Sequence, residues 1–176
     1  MDTTIASEPP SSPRLNLFFR DERARRLSRQ VMLLGEVLAS DGGAFRPRPL
    51  GRRAIVHAHC HQKSILGMDA HGKALERAGV DYDVLDSGCC GMAGSFGFEA
   101  SKYDISMACA ERVLLPRLRE ADPETLVVAN GFSCREQVAQ ATGRLPLHLA
   151  EVLAMGVTGP PSSARAPSGS PPPTAA

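Results

Sequence analysis

Tryptophan is absent from this chain of 176 residues, and aromatic residues make up only 5% of it. A base-stacking surface for nucleic acid therefore has little to be built from. Neither sign of charge dominates. Twenty Lys and Arg stand against nineteen Asp and Glu, for a formal net charge of +1. Long-range attraction to a polyanion is thus not expected, nor is an acidic solvating tail. No apolar run is long enough to span a bilayer. Met1 to Pro13 has no basic stretch followed by an apolar core, so no secretory signal is read there. The expected location is the cytoplasm, where cysteines stay reduced and free to bind metal. No Cys-x-x-Cys pair occurs anywhere. That removes the spacing zinc sites often use and leaves a dithiol redox enzyme without its usual motif.

What is present is concentrated in one stretch, Asp86-Ser87-Gly88-Cys89-Cys90-Gly91-Met92-Ala93-Gly94-Ser95-Phe96-Gly97-Phe98. Glycine admits positive φ and close approach. A thiol pair in such a loop points to a metal, cluster or redox site. Packing of two small apolar residues in a tight turn is the plainer alternative. The glycines resemble a phosphate loop only loosely. No Gly-Lys-Ser/Thr ending follows, and the dinucleotide fingerprint is out of register with the preceding strand.

The rest of the chain reads in order. Residues 1–13 are expected to be a disordered N-terminus, and 14–44 an N-terminal helical segment. Within Arg14 to Ser40, Asp21 is positioned to cap a helix with Glu22 in its first turn. Ala24, Leu27, Val31, Leu34 and Leu38 form its apolar face, and Asp41-Gly42-Gly43 ends it. The arginines at 20, 23, 25, 26 and 29 read as a solvated surface, because acidic residues interleave with them. Residues 45–157 form the cysteine-rich domain. Strands are expected over 53–59, 82–85 and 125–129, with 146–149 as a fourth strand or a turn. Helices are expected over 68–78, 99–118, from Ser133 or Arg135 to Thr142, and over 150–155. In the helix over 99–118, Ile105, Ala108, Cys109, Val113 and Leu114 are the candidate buried positions. Residues 158–176, rich in Pro, Ser and Ala, are expected to be a disordered tail.

Alternating strands and helices make this an α/β fold. A small parallel sheet of three to four strands is covered by helices and preceded by the amphipathic helix. Cys60, Cys89-Cys90 and Cys134 each follow the carboxyl end of an expected strand. Those ends share one edge of a parallel sheet, where ligands bind. The four thiols are thus expected to converge. Thiolates hold both zinc and iron–sulfur clusters. Adjacent cysteines suit a compact tetrahedral ion poorly but can reach different irons, which favours a cluster. His57, His59 and His61 alternate around Cys60, and each is a candidate ligand, proton donor or hydrogen-bond partner to the site. Cys134 stands at a helix N-terminus, where the dipole favours thiolate. Gln62 and Lys63 can offset cluster charge, although solvation of Lys63 is its default. Cys109 reads as core, and no role is assigned to His148.

The stretches His59-Cys60-His61-Gln62-Lys63, Asp86 to Gly94 and Asn130-Gly131-Phe132-Ser133-Cys134-Arg135-Glu136-Gln137 closely resemble the cysteine-rich "CCG" domain. That domain occurs in the iron–sulfur components of glycolate oxidase, anaerobic glycerol-3-phosphate dehydrogenase and heterodisulfide reductase. The likeness runs from Leu15 to Met155 and is closest to the C-terminal part of fused FAD-linked oxidase/iron–sulfur proteins. It implies an electron-transfer module with a [4Fe-4S]-type cluster on Cys60, Cys89, Cys90 and Cys134, and His59 and His61 just outside the ligands. It implies no catalytic residue here, and FAD only on a partner or a missing domain. The implied partners are a flavoprotein dehydrogenase and ferredoxin-type iron–sulfur domains or subunits, and any attachment to the inner membrane is through them. Two departures stand out. The family's motif ends in Cys-x-x-Cys, and Gly131 replaces its first cysteine. The ferredoxin run, the flavin domain and a second CCG unit are all missing, so the chain reads as a fragment or remnant without turnover of its own. A zinc-bound or metal-free interaction domain is the alternative.

Overall fold

The computed structural model describes residues 21–158. The expected N-terminus over 1–13, the start of the helical segment and the tail beyond Thr158 lie outside the described residues. Three parallel strands form the sheet: β1 (Arg52–His57), β2 (Val80–Val84) and β3 (Leu126–Ala129), in the order β2-β1-β3. The first strand is therefore the central one. Its register pairs Arg52 with Val80 and His57 with Ala129. The expected fourth strand is a single parallel bridge between Val128 and Leu147. Leu147 donates its N–H to Val127 O and accepts from the Ala129 N–H.

The sheet's two faces carry two cores, as the two-residue period of a strand requires. Ile55, Val127 and Ala129 face one core with Cys90, Met92, Ala110, Leu114, Leu115, Leu118, Cys134 and Val138. Ala54, Val56 and Val128 face the other with Leu75, Val80, Leu149, Val152 and Leu153. On the first side lie α5 (Tyr103–Glu111), α6 (Leu114–Glu120) and α7 (Phe132–Thr142). On the second lie α4 (Asp69–Arg77) and α8 (Leu149–Thr158).

The N-terminal helix is not continuous. It divides into α1 (Glu22–Gln30) and α2 (Leu34–Ser40). Asp21 caps α1 as expected, its Oδ1 accepting the Ala24 N–H at 2.8 Å. The second helix restarts at Leu33, whose N–H is taken by the Glu36 carboxylate at 2.6 Å. The apolar positions at Leu27, Val31 and Leu34 are exposed, not buried. Gly35 makes the close contact instead. A Cβ there would lie 2.9 Å from the carbonyl oxygen of Ala70, so glycine lets α2 seat on α4. Arg77 ties the two together, donating to the Leu38 carbonyl and, at 2.8 Å, to Asp41.

The helix expected over 99–118 is also broken, into two 3₁₀ turns followed by α5 and α6. Pro116 explains the break. Its ring would clash with the carbonyl of Arg112 in a continuous helix, whereas a first-turn position tolerates it. The new phase buries Ser106, Ala110, Leu114, Leu115 and Leu118. Ile105 is 56% exposed, Ala108 is exposed, and Cys109 and Val113 are half-buried. A further helix, α3 (Cys60–Leu66), follows β1 directly, with His59 as its cap residue.

Candidate metal centre

The sheet's carboxyl edge is where the cysteines stand. Ile55 packs into the first core, and two residues on, His57 emerges on the same face at the end of β1. The chain leaves β2, buries Leu85 and Ser87, and reaches Cys89 and Cys90. After β3 it turns at Gly131, and Cys134 falls in the first turn of α7. A ligand atom from each of His57, Cys90 and Cys134 lies within 4.8 Å of the other two, and all three residues are buried.

Glycine makes the Cys89-Cys90 loop possible. Gly91 has φ +96°, and a Cβ on it would run into the carbonyl of Ser106 in α5. This contact seats the loop on the first core. The Gly91 N–H donates to Cys89 Sγ at 3.3 Å. Lys63 of α3 closes the loop's outer side through an exposed ion pair with Asp86 at 2.9 Å, which lowers the Asp86 pKa.

Cys90 and Cys134 act on each other. A hydrogen bond from the Cys134 thiol pulls the Cys90 pKa far below that of an ordinary thiol. Burial opposes this, while the His57 ring and the Met92 N–H assist it. Cys134 is driven up in turn by its hydrogen bond to Cys90, by burial and by the Cys90 charge. The two opposite shifts are the two ends of one interaction between the sulfurs. Burial also raises Cys89, partly offset by the Gly91 N–H.

Of the four expected cysteine ligands, Cys90 and Cys134 belong to this compact set. Cys89 is half-buried and Cys60 exposed. Both lie near enough for their charges to act on Cys134. His57 joins the set with Nδ1 2.9 Å from Ser87 Oγ and with Nε2 buried and unpartnered. Its signal in the sequence is its place two residues after Ile55 on a strand. Ser87 carried no such signal. Cys109 acts electrostatically on Cys89 and sits outside the buried core. Two sulfurs and an imidazole nitrogen are the donors that thiophilic metals take. The buried, unsatisfied Nε2 of the same ring makes the residues fit such a group.

His59 and His61 line a cleft of about 350 Å³ together with Gln62, His71, Asn130 and His148. Asn130 organises its floor. Its Oδ1 accepts the Leu149 N–H at 3.1 Å, which turns Nδ2 toward Gln62 Oε1 (3.3 Å) and His71 Nδ1 (3.1 Å). Asn130 therefore donates to Nδ1, and the proton of neutral His71 resides on Nε2. Burial, with the charge of His148, pushes the His71 pKa down to about 4.

Comparison with known proteins adds the chemical context. D-2-hydroxyglutarate dehydrogenase of Escherichia coli (strain K12) is 31% identical over 152 residues. The chain is similar to part of a dehydrogenase. The match takes in 80% of this chain but 14% of that protein. One of the subunits making up the anaerobic glycerol-3-phosphate dehydrogenase of the same organism is 29% identical over 119 residues, 66% of this chain and 29% of that relative. D-2-hydroxyglutarate dehydrogenase of Pseudomonas putida is 34% identical over 98 residues, 54% of this chain and 9% of that protein. The chain thus spans under a third of these relatives' length. No family model matches, and no solved structure matches. Among the described residues, no helix is long and apolar enough to cross a membrane.

Proposed function

We propose that this chain is an iron–sulfur-binding electron-transfer domain of the CCG type, part of an FAD-linked 2-hydroxy-acid oxidoreductase system. The observation that carries this reading is the meeting of His57, Cys90 and Cys134 within 4.8 Å at the carboxyl edge of the sheet. Cys60 and Cys89 stand at the same edge. In this reading Cys60, Cys89, Cys90 and Cys134 hold the cluster, of [4Fe-4S] type. When bound, the cluster supplies one-electron chemistry. The chain's own residues exclude water from Cys90 and Cys134, keep a thiolate available between them, and aim the α7 N-terminus at the resulting negative charge. The dehydrogenase names of the relatives support an oxidoreductase role. A flavoprotein dehydrogenase with FAD, and ferredoxin-type iron–sulfur domains, would be the electron partners. Hydroxy-acid turnover would depend on those parts.

A second reading, a zinc-binding interaction domain, draws on the same trio. One nitrogen and two sulfurs this close also suit a single tetrahedral ion. The test is the iron, acid-labile sulfide and zinc content of protein purified without oxygen, beside a Cys89→Ser, Cys90→Ser double variant. Near-stoichiometric iron and sulfide in the wild type, lost in the variant, is the expected result. Zinc alone, or no metal after reconstitution with iron and sulfide, refutes the electron-transfer reading.

A further inference from the structure

We propose that His57 is itself a metal ligand, bonding iron through Nε2 while Ser87 holds its other nitrogen. The assignment rests on the iron–sulfur reading above and puts a nitrogen donor in the place of one of its thiolates, that of exposed Cys60.

The first ground is an unsatisfied atom. His57 is 1% exposed, and Nε2 has no hydrogen-bond partner. Buried polar nitrogens are nearly always paired, and an exception calls for a specific cause such as an ion. Here the exception belongs to a ring with one nitrogen within 4.8 Å of both sulfurs, unlike the unpartnered Nε2 of His71 in the neighbouring cleft.

The second ground is the partner on the opposite nitrogen. Ser87 Oγ lies 2.9 Å from Nδ1 and is itself on a buried residue. A ligating histidine typically donates its second ring N–H to an oxygen, which fixes both tautomer and ring plane. With Nδ1–H donated to Ser87, the lone pair is on Nε2 and is free to bind metal.

Dimensions give the third ground. The three donors lie within 4.8 Å of one another, so an iron held at either sulfur is within reach of the His57 ring. Cys60, by contrast, is exposed.

A neutral imidazole in place of a thiolate leaves the cluster less negative and raises its reduction potential. The test uses the full chain, purified without oxygen, reconstituted with iron and sulfide, and labelled with ¹⁵N-histidine. Pulsed electron paramagnetic resonance of the reduced protein should show one directly bonded imidazole nitrogen. In His57→Cys, which still offers a ligand, that coupling should vanish while iron and sulfide are retained, and the potential should fall. Ser87→Ala should keep iron and alter the nitrogen quadrupole parameters, read on unlabelled protein, because Nδ1–H has lost its acceptor. Full iron and sulfide with no directly bonded nitrogen, or a coupling unchanged in His57→Cys, overturns this assignment and leaves the iron–sulfur reading standing. A wild-type chain that takes up no iron overturns that reading and this assignment with it.

Discussion

The ring of His59 occupies the space that a side chain on residue 131 would need. A Cβ placed on Gly131 would lie 2.5 Å from Cδ2 of His59 and 3.0 Å from Cys134 Sγ. The glycine standing where a motif cysteine is expected is therefore a packing requirement of this fold. Gly131→Ala should force His59 out of the cleft or shift Cys134, at a cost of about 1–3 kcal/mol in urea unfolding. Gly88, with open space around its Cα and no positive φ, is the control. Gly88→Ala should change stability by less than ~0.5 kcal/mol. Equal effects at the two positions would contradict the contact.

Gly91 should be far less forgiving. It combines φ +96° with the carbonyl of Ser106 in the path of any Cβ. Gly91→Ala is expected to cost about 2–4 kcal/mol and to lift the Cys89-Cys90 loop from α5. Denaturant titration reads the first effect, and faster alkylation of Cys90 by iodoacetamide in the metal-free protein reads the second. A variant of unchanged stability with Cys90 still protected would refute this account of the loop.

The cleft carries a pH dependence of its own. His71 is buried neutral, with its pKa lowered to about 4 from an ordinary 6.5, by burial first and the His148 charge second. The unfolded chain takes up this proton at higher pH than the folded one does. Stability is therefore intact above pH 6.5 and declines as pH falls toward 4, by up to ~3 kcal/mol, then stops changing on this group's account. Urea midpoints between pH 7 and about 5.5, above the carboxylate pKa values, should show the decline in the wild type and lose most of it in His71→Gln. A slope of the same size in both proteins would place its origin elsewhere.

The coupling of Cys90 and Cys134 should be visible directly. In reduced, metal-free protein, thiolate absorbance near 240 nm should persist well below the pH at which ordinary thiols protonate. The hydrogen bond from the Cys134 thiol is the largest cause of the low Cys90 pKa. Cys134→Ala should therefore move that titration upward. A titration unmoved by this change would assign the thiolate to another cysteine.

Core burial separates two residues that the sequence pattern treats oddly. Leu115 is completely buried and Ile105 mostly exposed. Leu115→Ala should cost about 2–5 kcal/mol, and Ile105→Ala less than ~0.5 kcal/mol. Thermal or urea unfolding of both variants checks the phase of α5 and α6.

That contrast shows where local pattern stops being informative. The strands were legible because runs such as Leu126-Val127-Val128-Ala129 are apolar, short and bounded by turn residues. Their carboxyl ends then located the cysteines at one edge. The break at Pro116 was readable in principle, since the ring's clash with the fourth residue back is a local rule. The burial of α2 was not. It depends on Gly35 meeting Ala70, a contact between distant segments, while Leu27, Val31 and Leu34 of the expected core face lie outward. The same holds within the site. Cys90 and Cys134 follow from topology, whereas His57 over its neighbours His59 and His61 is selected by which face of β1 each residue takes after the strand ends.

The order of the strands sets a condition on biosynthesis. The central strand is the first to leave the ribosome, and both of its neighbours come after it. His57 therefore waits through the synthesis of β2, the cysteine loop and β3 before Cys134 is available to meet it. No shorter nascent chain contains the assembled donors. Any delivery of metal to this site must be a late event, made to a chain whose sheet has already closed around its first strand.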